Sequence, residues 1–200
     1  MAGHAAPNIV EDGLVFLIDA ANPSSFISGS DKCFSLVNSN LTGSVNDGLS
    51  SINENAGVFE FDGADDDMLL MPPTSLSNFT FQSWIYQPTG GSNYYQYIRY
   101  VNSSNTIWWY IGDLSGLSSG AGQRTWIGSS YREGTPVIPR NQWVNCAVVL
   151  DSEANTLNHY YNGELSNNGD VGMANTPGTP GTANYIWRGK TPGLMVYDKA

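Results

Sequence analysis

Long apolar runs, helical periodicity, basic clusters and cysteine are all scarce in this chain, and each scarcity excludes something. No segment approaches the roughly 20 consecutive apolar residues that cross a bilayer as a helix. Met1 to Asn8 carries neither the charged opening nor the apolar centre of a secretory signal, so the expectation is a soluble protein made in a cytoplasm. Lys plus Arg number 8 against 18 Asp plus Glu, and the net charge of −10 repels phosphate backbones and anionic headgroups alike. The basic residues are scattered from Lys32 to Lys199, with only Arg188 and Lys190 close together, so no local patch restores nucleic acid or a membrane surface as partner. Two cysteines, Cys33 and Cys146, do not make a disulfide framework. Buried free thiols are the expected state, because Cys146 lies in a run, Val144 to Leu150, that reads as a core strand. His4 and His159 stand far apart without Cys or His neighbours, which argues against a zinc site. Neither a Gly-x-Ser-x-Gly elbow nor a phosphate-binding glycine loop occurs.

What is present points to strands. Glycine makes up 22 of 200 residues, aromatics 12% and charged residues only 13%, with Asn, Ser and Thr throughout. A chain of this length buries roughly 70% of its unfolded surface in one core, so a single domain is the default. Leu14 to Ala20 reads as a first strand; Ser28 to Gly57 reads as a long loop with one short strand near Phe34 to Val37. Gly57 to Gly63 alternates, with Phe59 and Phe61 on one face and Glu60 and Asp62 on the other. Met68 to Met71 and Phe79 to Tyr86 follow, the latter with Phe79, Phe81 and Ser83 opposing Thr80, Gln82 and Trp84, and these read as consecutive antiparallel strands. Tyr97 to Val101 and Thr106 to Ile111 flank the turn-rich Asn102 to Asn105, a hairpin signal. Gly112 to Gly122 reads as a loop, and Thr125 to Ile127, Trp143 to Leu150 and Leu157 to Tyr161 as strands. Asn162-Gly163 predicts a type I′ turn joining Leu157–Tyr161 to Glu164–Ser166, because Asn-Gly tolerates positive φ at both positions. Asn167 to Asn184 reads as a loop, then Tyr185 to Arg188 and Leu194 to Tyr197 as closing strands. Some ten to twelve short strands without helical crossovers predict an all-β fold, a two-sheet antiparallel β-sandwich.

Six segments carry a resemblance: Gly13 to Asn22, Phe59 to Asp66, Phe79 to Ile85, Trp143 to Asp151, Tyr160 to Leu165 and Leu194 to Ala200. In this order they resemble concanavalin A-like/laminin G-like domains over nearly the whole chain. The resemblance implies a jelly roll for residues 13–200, with residues 1–12 as a flexible N-terminal arm. Family members usually continue past the Tyr-Asp-Lys-Ala stretch into a segment that packs back on the sandwich, a departure at Ala200 that the resemblance leaves open. Free-standing copies of this kind are common among bacteriophage structural proteins. By that analogy the expected function is a non-enzymatic virion surface protein, a capsid decoration or tail-fibre type. Its implied partners are other capsid or tail proteins and host-surface glycans, and its implied state is a homo-oligomer on the assembly. A stand-alone carbohydrate-binding lectin module and a glycoside hydrolase are the alternatives.

Candidate chemistry is confined to three groups. Concanavalin A-like glycosidases carry acid and nucleophile on one strand as Glu-x-Asp-x-x-Glu or Glu-x-Asp-x-Glu. Glu60 and Asp62 share a strand face about 7 Å apart, but the next carboxylate, Asp65, lies beyond Gly63, so no catalytic residue is assigned. Asp62, Asp65, Asp66 and Asp67 cluster at a turn and could ligate Ca²⁺, the one cofactor considered; the competing reading is that Asp side chains cap turns. Tyr95, Tyr97, Trp108, Trp109 and Tyr110 form the candidate ligand-binding set, suited to stacking on sugars or anchoring a protein interface. Trp108 and Trp109 cannot both be core on a regular strand, so one should be exposed or covered by a loop.

Overall fold

Alternation makes the strands of this protein, and the computed structural model shows where it leads. The structure describes residues 9–46, 49–52, 57–62, 67–70, 78–89, 96–101, 106–113, 121–127, 130–167, 183–184 and 188–200. Among them are seventeen strands and no helix. In chain order they are β1 (Leu14–Asp19), β2 (Lys32–Phe34), β3 (Thr42–Asn46), β4 (Ser50–Ile52), β5 (Val58–Asp62), β6 (Asp67–Leu70), β7 (Phe79–Tyr86), β8 (Gln96–Val101) and β9 (Thr106–Asp113). There follow β10 (Ala121–Ile127), β11 (Ser130–Ile138), β12 (Trp143–Asp151), β13 (Thr156–Tyr161), β14 (Glu164–Asn167), β15 (Ala183–Asn184), β16 (Arg188–Thr191) and β17 (Gly193–Tyr197).

Nine strands form one layer, running β14-β13-β12-β7-β16-β5-β4, with β17 also on β7 and β1 on β17. Two four-stranded sheets, β11-β10-β9-β8 and β15-β6-β3-β2, face it, and β15 also lies beside β8. All pairings are antiparallel, as an all-β sandwich of jelly-roll type requires. The interior is filled by the inward residues of β5, β7 and β12, among them Phe59, Phe61, Phe79, Phe81, Val148 and Leu150. Phe79 and Phe81 stack at 4.2 Å, and Phe81 meets Trp109 of the facing sheet at 6.4 Å. Each such ring contributes about 1.5–3 kcal/mol of burial, so this aromatic seam is the main attraction between the layers.

A polar cluster also crosses between the layers. Opposite β10, the ladder of β11 slips between Ala121/Ile138 and Gln123/Gly134, and the Gln123 N–H donates instead to the Tyr161 hydroxyl at 3.0 Å. The Gln123 side chain accepts from Trp109 Nε1 at 3.0 Å and donates to the Tyr160 carbonyl at 2.9 Å. Two residues on, Thr125 Oγ1 and His159 Nε2 are 2.8 Å apart and fully buried. Burial of these groups is tolerable because each has a partner.

The edge of β7 is forked. Tyr86 pairs with Lys190 of β16, whereas Thr80, Phe81 and Gln82 pair with Tyr197, Val196 and Met195 of β17. The chain bends between the two at Thr191-Pro192-Gly193. Ser83 holds the bend, meeting Thr191 Oγ1 at 2.8 Å and donating to the Gly193 carbonyl. Gly193 has φ +150, and a Cβ there would fall 1.8 Å from the Ile18 carbonyl oxygen, so a side chain does not fit.

Four expectations are corrected. The stretch from Ser28 to Gly57, read as a loop with one short strand near Phe34 to Val37, contains three strands, β2, β3 and β4, and around them Cys33, Val45 and Leu49 are buried. β11 carries no clean alternation, and it contains Pro136 because it is the outer strand of its sheet, where a missing N–H is tolerated. The strand count is accordingly higher than ten to twelve. β5, β6 and β7 are not mutual neighbours: β6 lies between β3 and β15, in the opposite layer from β5 and β7. The hairpin of β8 and β9 and the type I′ turn are as predicted, with φ of 51° at Asn162 and 83° at Gly163. Both cysteines are buried thiols outside any disulfide.

Candidate functional site

The period-two pattern that sends Phe79 and Phe81 inward sends Gln82, Trp84 and Tyr86 to the outer face of the nine-stranded layer. Trp84 keeps 45% of its surface in water. An exposed indole on a regular, flanked strand is informative, since burying it would be favourable.

Its neighbours are fixed by register. Asn145 stands opposite Trp84 and Trp143 opposite Tyr86 on β12; Lys190 stands opposite Tyr86 on β16; Glu60 stands opposite Lys190 on β5. A row therefore crosses four strands as Trp143, Tyr86, Lys190 and Glu60, with Trp84 and Asn145 alongside. Tyr86 and Trp143 lie 5.6 Å apart at 53°. Lys190 Nζ sits 5.7 Å from the centre of the Tyr86 ring and 3.7 Å from Glu60 Oε1, which holds the cation against both. Gln82 Nε2 donates to Asn145 Oδ1 at 3.0 Å.

Two hollows open on this face. One, of about 240 Å³, is apolar and lined by Val58, Trp84, Trp143 and Pro192. The other, of about 290 Å³, is bounded by Glu60, Asp62, Tyr86, Pro88 and Lys190. Aromatic rings beside carboxylates, amides and a cation can stack against an apolar ring face while meeting hydroxyls at the rim.

The residues singled out from sequence fare unequally. Trp109 is fully buried in the core and donates to Gln123, so it is no surface ligand contact. Its strand faces the opposite layer at this position, and the indole N–H finds its acceptor inside. Tyr97, Trp108 and Tyr110 lie on β8 and β9 by backbone register, their side chains outside the described residues, as is Tyr95 altogether. Asp62 is exposed at the end of β5, and Asp67 opens β6 in the opposite layer; Asp65 and Asp66 lie outside the described residues. Among the described residues no three His, Cys, Asp or Glu side chains gather as metal ligands would. Glu60 and Asp62 do share the outer face, and both line the second hollow. Sequence reasoning did not assign Trp84, Tyr86, Trp143 or Lys190; the alternation of Phe79 to Tyr86 already pointed Trp84 away from the core.

Comparison with known proteins agrees with this architecture. A family model described as the concanavalin A-like lectin/glucanases superfamily matches residues 62–197. No curated protein matches the chain. Domain 4 of AbnA, a GH43 extracellular arabinanase from Geobacillus stearothermophilus solved with arabinotriose, is similar at a TM-score of 0.70 and 13% identity. That match covers 96% of this chain and 95% of the other. A botulinum neurotoxin type C structure, whose cell entry is described as dependent on two ganglioside molecules, has a TM-score of 0.70 at 12% identity. The binding domain of botulinum neurotoxin DC, solved in complex with SialylT, has a TM-score of 0.70 at 13% identity. The neurotoxin matches cover 94% of this chain but 48% of the other, so the chain spans about half their length. At these identities the likeness is one of fold.

Proposed function

Since the chain belongs to the concanavalin A-like lectin/glucanases superfamily, we propose that its outer sheet face, centred on Trp84, binds carbohydrate without hydrolysing it. The observation that carries the reading is the half-exposed Trp84 on a flanked strand, with Trp143 and Tyr86 beside it and hydrogen-bonding groups around them. Sheet backbone fixes the spacing of these rings, so little ordering is needed when a sugar docks. The structural relatives support the reading, since one is described with arabinotriose and another with gangliosides. Binding rather than hydrolysis is favoured because Glu60 and Asp62 stand on a water-exposed sheet face and Glu60 is engaged by Lys190. Calorimetry against oligosaccharides, with wild type and Trp84→Ala in parallel, tests this: the variant should lose about tenfold or more in affinity with its fold intact. Equal affinity in the two proteins removes Trp84 from the site.

The wider role we propose is display on a bacteriophage virion, with residues 13–200 as one sandwich and residues 1–12 as the arm that attaches it to a capsid or tail partner. The resemblance to free-standing phage copies supports this setting. Mass spectrometry of purified particles decides it, and a chain absent from them would remove the virion role while leaving the sugar site standing.

A further inference from the structure

The two hollows of the outer face adjoin, and their join specifies the ligand. Trp143 walls the apolar hollow, Tyr86 walls the charged one, and their rings meet at 5.6 Å. Along both β5 and β7 the residue lining one hollow is followed, at the next same-face position about 7 Å away, by a residue lining the other: Val58 then Glu60, Trp84 then Tyr86. The face thus offers two seats in line, one greasy and one polar, and a single small ring fills only one.

The lysine of the polar seat is engaged in advance. Glu60 faces Lys190 across the ladder, with Nζ 3.7 Å from Oε1, and Arg188 holds the register position opposite Asp62. Glu60 and Asp62 beside Lys190, which Glu60 already holds, leave no surplus positive charge for an acidic group on a ligand. The net charge of −10 on the whole chain adds long-range repulsion of anions.

Resting on the reading that this face binds carbohydrate, we infer that its ligand is a neutral oligosaccharide of at least two linked rings, and that sialylated, uronic and sulfated glycans are rejected. The Trp84 hollow takes the apolar face of one ring, and the Glu60, Asp62 and Asn145 side chains accept hydrogen bonds from hydroxyls at the rim.

Calorimetry on the full chain tests this with neutral xylo-, arabino-, gluco- and galacto-oligosaccharides of one, two and three rings, beside trigalacturonic acid and sialyllactose. Affinity should rise about tenfold from one ring to two and then level off. The two acids should bind about tenfold or more weakly than the best neutral ligand of equal length, and a Glu60→Gln/Asp62→Asn double variant should narrow that gap. An acid bound as tightly as the neutral ligands, or a single ring bound as tightly as two, overturns the inference while the sugar site survives. Failure to bind any member of the panel overturns the carbohydrate reading itself.

Discussion

Trp109 donates its indole N–H to Gln123 Oε1 at 3.0 Å, a hydrogen bond between adjacent strands in which both residues are wholly buried. Gln123 spends its own amide N–H on the Tyr160 carbonyl of the opposite layer at 2.9 Å, so one side chain ties three strands together. Replacing it removes the acceptor of a buried indole N–H and the donor to a part-buried carbonyl. Gln123→Ala should therefore cost roughly 2–4 kcal/mol, read as a lowered denaturant midpoint. A loss below about 0.5 kcal/mol would mean that water reaches these groups.

The two tryptophans Trp84 and Trp109 should behave as opposites. Trp109→Ala removes a filled core position and should cost roughly 3–5 kcal/mol. Trp84→Ala removes a half-exposed ring and should change stability by less than about 1 kcal/mol while weakening sugar binding. Urea titration of both variants, beside calorimetry on the second, checks the contrast.

Two glycines of positive φ should also separate. Gly163, at φ +83 in the type I′ turn, has no atom within 4 Å of an added Cβ, and Gly163→Ala should cost about 1 kcal/mol from backbone strain alone. At Gly193 the added Cβ collides with the Ile18 carbonyl, and Gly193→Ala should cost more than about 3 kcal/mol because β1 or the bend must move. Similar melting temperatures for the two variants would contradict the bend geometry.

Burial pushes the Cys33 thiol up from 9.0 to about 12, and it raises Cys146 and the Tyr161 hydroxyl as well. Above pH 9 the unfolded thiols release protons that the folded ones retain, so stability from this source is full below about pH 9 and is lost as pH climbs toward 12. Both thiols should also resist a thiol reagent at neutral pH until denaturant is added. Rapid labelling of the native protein would refute the burial.

Much of the fold was legible because the aromatic strands announce themselves. β1, β5, β7, β12, β13 and β17 alternate or run apolar over lengths that only strands explain. β3 and β4 were not legible, since Ser, Gly, Thr and Asn dominate them, and β2, only Lys32 to Phe34, was anticipated as a short strand placed too far along the chain. Partnership was also hidden: nothing local says that β5 lies beside β16, because such pairing is decided by the closure of the whole sandwich. At the site, the outward direction of Trp84 could be read from Phe79 and Phe81, but its exposure could not, because alternation does not say whether a loop covers the outer face. For Trp108 and Trp109, alternation required the two to differ; the acceptor on Gln123 marks Trp109 as the inner one.

Because β16 and β17 share one edge of β7, the nine-stranded layer works as two leaves on a common spine. The chain just past β1 reaches the bend directly, since the Ala20 N–H donates to the Pro192 carbonyl, so the margin of the layer and the hollow beside Trp84 share one anchor. The stitch of Ser83 to Thr191 and Gly193 fastens the leaves where they diverge, so loosening it would let Lys190 drift from Tyr86.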